Sequence, residues 1–241
     1  MTKLFLEITL QQNTSISVSG EKAHYLSTVL RRRPGDTIII TDSSGSSFSA
    51  RIRTSSRNLI TFDVGAPILI ETESPLEIIL IQGLLKGEKM DLVVQKATEL
   101  GVNKIMPVIT ERCQVRETRK LSRWQKIAEE ASRQCGRSKV PAVSEPDTFA
   151  AVIAQGVPAG GSGMIFWEQG GASFSSSLAA CKKGRQISLC TGPEGGFSGN
   201  EVRTASEHDF VIVSLGNRTL RAETAAIAAV SIVQYGLGDL G

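Results

Sequence analysis

Two hydrophobic rhythms divide the chain. Through residues 1–64 the apolar positions come in short runs: Leu4–Leu10 and Ile16–Val18 alternate loosely, and Thr37–Thr41, Ser47–Arg53 and Leu59–Val64 are β-rich. Alternation with a period of two sets one group of side chains on one face, and the polar breaks at Gln11–Ser15, Asp42–Ser46 and Ser55–Asn58 read as turns between strands. One helix interrupts the series. Glu21–Arg31 holds Ala23, Leu26 and Leu30 at helical spacing, with Ser19 available as its cap and Pro34-Gly35 closing it. Strands recurring this densely predict a small barrel or sandwich of about seventy residues.

From Leu76 the rhythm changes to apolar strands alternating with amphipathic helices, the pattern of a mostly parallel sheet with crossover helices. Strands are predicted at Leu76–Gln82, Lys104–Ile109, Met164–Trp167, Gln186–Thr191 and Asp209–Ser214. Helices are predicted over Met90–Leu100 and Trp124–Cys135, stopped by Gly101 and Gly136, then near Thr148–Ala154, at Ser173–Cys181 and at Ala222–Tyr235. The last is apolar on nearly every side, so it should be buried by its own domain or by a second subunit. Gly156–Gly163 precedes a strand and is expected as a surface loop. Gly65–Pro75, with its prolines and acids, is the expected domain boundary.

Composition narrows the classes. The 241 residues are 41% apolar and 21% charged, the balance of an ordinary globular protein. No run approaches the roughly eighteen apolar residues of a membrane span. The N-terminus lacks the apolar core and cleavage site of a signal peptide. Cys113, Cys135, Cys181 and Cys190 show no CxxC and no nearby histidine pair, which argues against a metal site and a disulfide framework. A cytoplasmic protein with no membrane and no metal partner is expected. The net charge of +3 is uneven: residues 86–140 hold thirteen Lys or Arg against seven Asp or Glu, and residues 141–241 hold six against nine. Such asymmetry suits a polyanion, although a solvated helix surface gives the same count.

Two stretches stand out as chemistry. Thr191-Gly192-Pro193-Glu194-Gly195-Gly196-Phe197-Ser198 follows a strand and precedes a helix, a layout that turns backbone N–H groups toward a ligand. No lysine follows these glycines, so the phosphate-binding P-loop is excluded, and their spacing is not that of a dinucleotide fold. Ser198 and Glu201 form a capping box, so Ser198 needs no further role. The second stretch, Leu215–Ala226, sets Arg218, Arg221 and Glu223 directly after a strand end, where open α/β sheets bind ligands. Arg221 and Glu223 suit an ion pair and a functional pair equally. Trp167 suits a pocket wall or core filling, and His24 and His208 suit structural roles. Arg31, Arg32 and Arg33 in the first region, with Lys86, Arg112, Arg116 and Arg137 in the second, fit phosphate contacts to an RNA as a set.

These residues resemble the ribosomal RNA small-subunit methyltransferase E family of the knotted SPOUT superfamily. The likeness rests on Thr191–Ser198 with Glu201, on Leu215-Gly216, and on Leu220-Arg221-Ala222-Glu223-Thr224-Ala225. It extends through His24-Tyr25-Leu26, Lys86-Gly87, Lys89-Met90-Asp91, Gln95–Gly101, Glu111-Arg112-Cys113 and Gln134–Arg137. The resemblance implies an α/β fold: a PUA-like RNA-binding β-barrel at 1–72 and a SPOUT methyltransferase domain at 73–241. The latter would carry a deep trefoil knot and the cofactor site at about 165–235. The family is a homodimer that uses S-adenosyl-L-methionine to methylate N3 of uracil 1498 in the 16S rRNA of the 30S ribosomal subunit. Carried onto this chain, Trp167, Glu168, Thr191, Gly192, Pro193, Glu194, Gly195, Gly196, Leu215, Gly216, Asn217, Arg218 and Leu220 would hold the cofactor. From charge and placement alone, Arg221 is the candidate to steady negative charge on the base, Glu223 to orient Arg221 or take the N3 proton, and Glu194 is the other candidate acceptor. The competing expectations are a non-catalytic RNA-binding module and a nucleotide hydrolase. The absent P-loop lysine and the lack of an acidic metal cluster weigh against the hydrolase.

Overall fold

The computed structural model describes residues 2–69, 72–181 and 185–241. Ile70 and Glu71, inside the expected boundary segment, lie outside the described residues, as do Met1 and residues 182–184. The chain divides into two compact units, one of residues 1–73 with 133–139 and the other of 74–132 with 140–241.

The N-terminal unit is a five-stranded sheet built from β1 (Lys3–Phe5), β2 (Ser15–Ser19), β3 (Thr37–Thr41), β4 (Ser47–Ser55) and β5 (Leu59–Ile68), in the order β1-β3-β4-β5-β2. Three of its pairings are antiparallel, and β1 runs parallel to β3. The expected β-rich runs form β3, β4 and β5, and Ile38, Ile40, Ala50, Ile52, Ile60 and Phe62 all join one core with Ala23 and Leu26. The strand expected at Leu4–Leu10 stops at Phe5. The expected helix is α1 (Gly20–His24), which widens into a π-helical turn over Tyr25–Val29, and Ser19 makes no capping bond. The chain leaves the helix through Arg31, whose φ of +51° ends any helical continuation.

Residues 133–139 are held within this unit by polar contacts to Glu73 and Lys3. Glu73 accepts from Arg137 Nη2 at 2.7 Å and Nε at 3.1 Å, and from the backbone N–H groups of Ser138 and Lys139 at 2.8 and 3.0 Å. Lys3 Nζ donates to the carbonyls of Gly136 and Arg137 at 2.8 and 2.6 Å. Burial raises the Glu73 pKa, but the Arg137 hydrogen bond and charge and the two N–H groups outweigh it, leaving the carboxyl below its ordinary 4.5. Arg137, only 3% exposed, is therefore a structural cation, contrary to its expected place among RNA contacts.

The C-terminal unit starts with β6 (Glu77–Gly83), α2 (Lys89–Glu99), β7 (Lys104–Ile109) and α3 (Leu121–Cys135), the last three residues of which are grouped with the N-terminal unit. It continues through β8 (Ala142–Val143), β9 (Asp147–Thr148), α4 (Phe149–Ile153), β10 (Ser162–Phe166), β11 (Ala172–Ser173) and α5 (Phe174–Ala179). It closes with β12 (Gln186–Thr191), α6 (Gly199–Glu207), β13 (Phe210–Ser214) and α7 (Ala222–Leu237). The sheet order is β11-β13-β10-β12-β6-β7-β8, with β9 also on β7, and every pairing is parallel. Strands buried on both faces explain the continuous apolar runs, and one core lies on each side of the sheet. Gly101 ends α2 with φ +84°, Gly101 N–H bonding Thr98 and Val102 N–H bonding Ala97. The glycine loop expected at Gly156–Gly163 is not all surface: Gly163 is a buried residue of β10, where a Cβ would meet Val157 at 2.5 Å. α7 is likewise less enclosed than its composition predicts. Ala226, Ala229, Val230 and Val233 are buried, but Ile232 is 38% and Tyr235 71% exposed.

Candidate active site

Parallel pairing brings the carboxyl ends of β13, β10, β12 and β6 to one edge of the sheet, side by side. Trp167-Glu168 follows β10, the glycine loop follows β12 and the loop from Leu215 follows β13. These three segments line a cavity of about 470 Å³. Its place is the one where α/β sheets accept ligands.

The glycine loop is shaped from below by a buried glutamine. Thr191 Oγ1 donates to Gln82 Oε1 at 2.7 Å, and Gln82 Nε2 donates to the carbonyls of Gly83 at 2.9 Å and Gly192 at 3.2 Å. Thr191 is thus turned into the sheet and does not line the cavity, contrary to its expected role at the cofactor. Glycine is required here for close approach. A Cβ on Gly83 would come within 2.6 Å of the Pro193 nitrogen, and one on Gly195 within 2.9 Å of Arg112 Cβ. Gly196 has φ +68° and lies against the Glu168 carboxylate, 2.7 Å from where its Cβ would be. The loop then enters α6 through the expected capping box, Glu201 N–H to Ser198 Oγ at 3.3 Å and Ser198 N–H to Glu201 Oε2 at 2.8 Å.

Glu194 reaches across to α2. Its Oε1 accepts from the Lys86 backbone N–H and from Lys89 Nζ, each at 3.1 Å, while Oε2 is buried without a hydrogen bond. Burial pushes this carboxyl's pKa up, yet its own backbone N–H, that of Lys86 and the Lys89 ammonium together hold it below 4.5. Lys89 Nζ also lies 3.8 Å from Glu223 Oε2, on the first turn of α7. Glu223 therefore faces Lys89 rather than Arg221, and it does not line the cavity. Arg221 is the exposed N-cap of α7 with extended backbone, and it lines the rim.

Of the residues expected at the cofactor, Trp167, Glu168, Gly192–Gly196, Leu215–Arg218 and Leu220 line the cavity. Lys89, Phe166, Phe197, Thr219, Ala222 and Ala225 line it too without having been singled out for it. Phe197 sits inside the motif and could have been read from it. Lys89 lies over a hundred residues from its carboxylates, and no local pattern points to it. Lys86, Arg112 and Arg116 are exposed in the C-terminal unit. Arg112 donates to the Gly195 carbonyl at 3.2 Å and Arg116 to that of Glu111 at 3.0 Å. In the N-terminal unit Arg31 and Arg33 are exposed, and Arg32 donates to Thr2 Oγ1 at 2.7 Å. His24 and His208 make local contacts, to Thr28 Oγ1 and to the Thr204 carbonyl. No cluster of three or more metal-ligating groups is found among the described residues, and no helix there is long and apolar enough to cross a membrane.

A parallel sheet with its ligand cavity built from three strand-end segments defines the class, and the family model for the RNA methyltransferase domain matches residues 72–234. The Ribosomal RNA small subunit methyltransferase E of Bacillus subtilis is 31% identical over 98% of this chain and 96% of its own length. A crystal structure of the Neisseria gonorrhoeae Ribosomal RNA small subunit methyltransferase E bound to S-adenosyl methionine superposes with a TM-score of 0.92, at 32% identity and full coverage of both chains. A Legionella pneumophila structure in complex with the bound cofactor SAM gives 0.90 at 32% identity, covering 99% of each chain. The chain belongs to the ribosomal RNA small subunit methyltransferase E family.

Proposed function

We propose that the protein is an S-adenosylmethionine-dependent methyltransferase acting on N3 of one uridine, uracil 1498, in the 16S rRNA of the 30S subunit. The observation that carries this reading is the cavity. At about 470 Å³ it has the size of a cofactor site, with glycine backbone on one wall and Phe197, Leu215, Leu220 and Ala225 as apolar surface. Trp167 Nε1 and Glu194 Oε2 are buried there without hydrogen-bond partners, which suits a ligand carrying several polar groups. The relatives solved with S-adenosylmethionine support the same assignment.

When bound, S-adenosylmethionine supplies an electrophilic methyl group on a sulfonium. The chain's own part is positioning and charge. Uracil N3 carries a proton and is a poor nucleophile until that proton leaves, and the base must be unpaired or flipped out because N3 lies on its pairing edge. Arg221, at the cavity rim, steadies the negative charge left on the base. Glu194 lines the cavity and Glu223 does not, so Glu194 is the proton acceptor in this scheme. With its pKa held low it is a weak base, which leaves Arg221 the larger share of the task.

In this reading residues 1–72 form a PUA-like RNA-binding barrel and residues 73–241 the methyltransferase domain. The exposed Arg31, Arg33, Lys86, Arg112 and Arg116 supply phosphate contacts. The segment at about 165–235 forms the trefoil knot, supported by a strand order in which β13 and β12 flank β10. The protein works as a homodimer in the cytoplasm, and the exposed Ile232 and Tyr235 on apolar α7 support the dimer. The test is mass mapping of small-subunit RNA from cells lacking the protein. Loss of the methyl group at that uridine is expected. Its retention, with no second enzyme present, refutes the assignment.

A further inference from the structure

One cation joins the two loops of the cavity, and neither the proposed reaction nor the resemblance gives it a task. Lys89 opens α2 and lines the cavity, with its Nζ 3.1 Å from Glu194 Oε1 and 3.8 Å from Glu223 Oε2. Glu194 belongs to the glycine loop, and Glu223 to the first turn of α7 behind the second loop. Their side chains are only 20% and 12% exposed, and each has a carboxylate oxygen, Oε2, buried without a hydrogen bond. Two carboxylates so placed repel each other unless a cation stands between them.

We infer that Lys89 is a positioning residue for the cofactor cavity: it clamps the glycine loop and the start of α7 together through Glu194 and Glu223. The inference rests on the cofactor assignment above. It assigns Lys89 no contact with the reacting atoms. The other charged groups at the site do not duplicate the clamp. Glu168 lies against Gly196, Arg218 and Arg221 are exposed on the second loop, and Glu88 faces Arg123 at 3.9 Å. Lys86 reaches Glu194 through its backbone N–H, so its side chain is not part of the clamp.

The clamp makes a prediction that a merely structural lysine does not. Lys89→Met leaves two carboxylates facing one gap with no cation between them, and Glu194 loses the Lys89 hydrogen bond and charge that help hold its pKa down. Loop closure, and with it cofactor affinity, becomes proton-dependent. The experiment is isothermal titration of S-adenosylhomocysteine into the full-length protein between pH 6 and 8.5, with thermal melts as a folding control. Lys89→Met should lose about tenfold in affinity at the upper end and recover part of it as the pH falls, one pKa unit corresponding to about tenfold. Lys89→Arg should stay within about threefold, because the charge is kept. Lys89→Met combined with Glu223→Gln should regain affinity and flatten the pH profile, because one of the repelling charges is gone. A folded Lys89→Met protein whose affinity is unchanged, or falls equally at every pH without rescue by Glu223→Gln, overturns the clamp. Failure of the wild-type protein to bind S-adenosylhomocysteine instead overturns the cofactor assignment, so the two failures are distinct.

Discussion

In the glycine loop, hydrogen bonds arrive from distant parts of the fold: Gln82 on β6 holds Gly192, Lys86 and Lys89 hold Glu194, and Arg112 holds Gly195. The loop from Leu215 to Arg221 is held locally, by Ser214 at its own strand end and by Ala225 N–H closing the first turn of α7. Pro193 is buried, whereas Gly216, Asn217, Arg218 and Thr219 are exposed. A segment fixed from several sides is a preorganised wall, and one exposed to solvent with local bonds opens at lower cost. In the proposed reaction the first loop supplies the fixed wall and the acceptor Glu194, and the exposed second loop supplies Arg221.

Substitutions can break that division of labour. The largest effect is expected from Arg221→Ala on the second loop, which should abolish measurable turnover while S-adenosylhomocysteine affinity stays within several-fold. Single-turnover assays beside titration calorimetry read both, and loss of binding would move Arg221 into the pocket. Next comes Gly83→Ala, whose Cβ would press on the Pro193 nitrogen at 2.6 Å and displace the glycine loop. A displacement of that order can cost about a hundredfold, here in affinity rather than in the chemical step. Gln82→Leu should destabilise the protein by about 2–3 kcal/mol in urea unfolding, because Thr191 Oγ1, the Gly83 carbonyl at the end of β6 and the Gly192 carbonyl of the loop lose a partner. Ser214→Ala, the corresponding change at the second loop, should stay within about 0.5 kcal/mol. Equal losses at the two positions would erase the contrast.

Acid sharpens it further. The folded-state pKa of Glu194 lies below its ordinary 4.5, so its contribution to stability is complete above that value and disappears as pH falls through the lower folded value. Melting temperatures of wild type and Glu194→Gln should therefore differ at neutral pH and converge below about pH 4.5. A gap that widens with acid would show the sign to be wrong.

Local features of this molecule could be read without coordinates, and contacts across the sheet could not. The glycine loop, its capping box and the Gly101 stop are set by neighbours within a few residues, so spacing alone exposes them. Burial of alternate side chains in β3 and β4 follows from the same local rule. By contrast, Gln82, Gly83 and Lys89 act only because β12 lies beside β6, a neighbour relation between segments about a hundred residues apart. Charge misleads for the same reason. Arg137 reads in sequence like the exposed Arg112 and Arg116, and its burial against Glu73 and the grouping of residues 133–139 with the N-terminal unit have no local sign. Thr191 was expected at the ligand from its place in the motif, but the strand's alternation turns its side chain inward. α7 shows the converse: its composition asks for burial on every side, and a single chain covers only part of it.

The most direct test is titration of the purified wild-type protein with S-adenosylhomocysteine. The two-loop cavity predicts saturable binding of one ligand per chain, with affinity in the micromolar range or tighter, about −8 kcal/mol or better. No heat and no thermal shift at about millimolar ligand, where even a binding energy of about −4 kcal/mol would register, would contradict it.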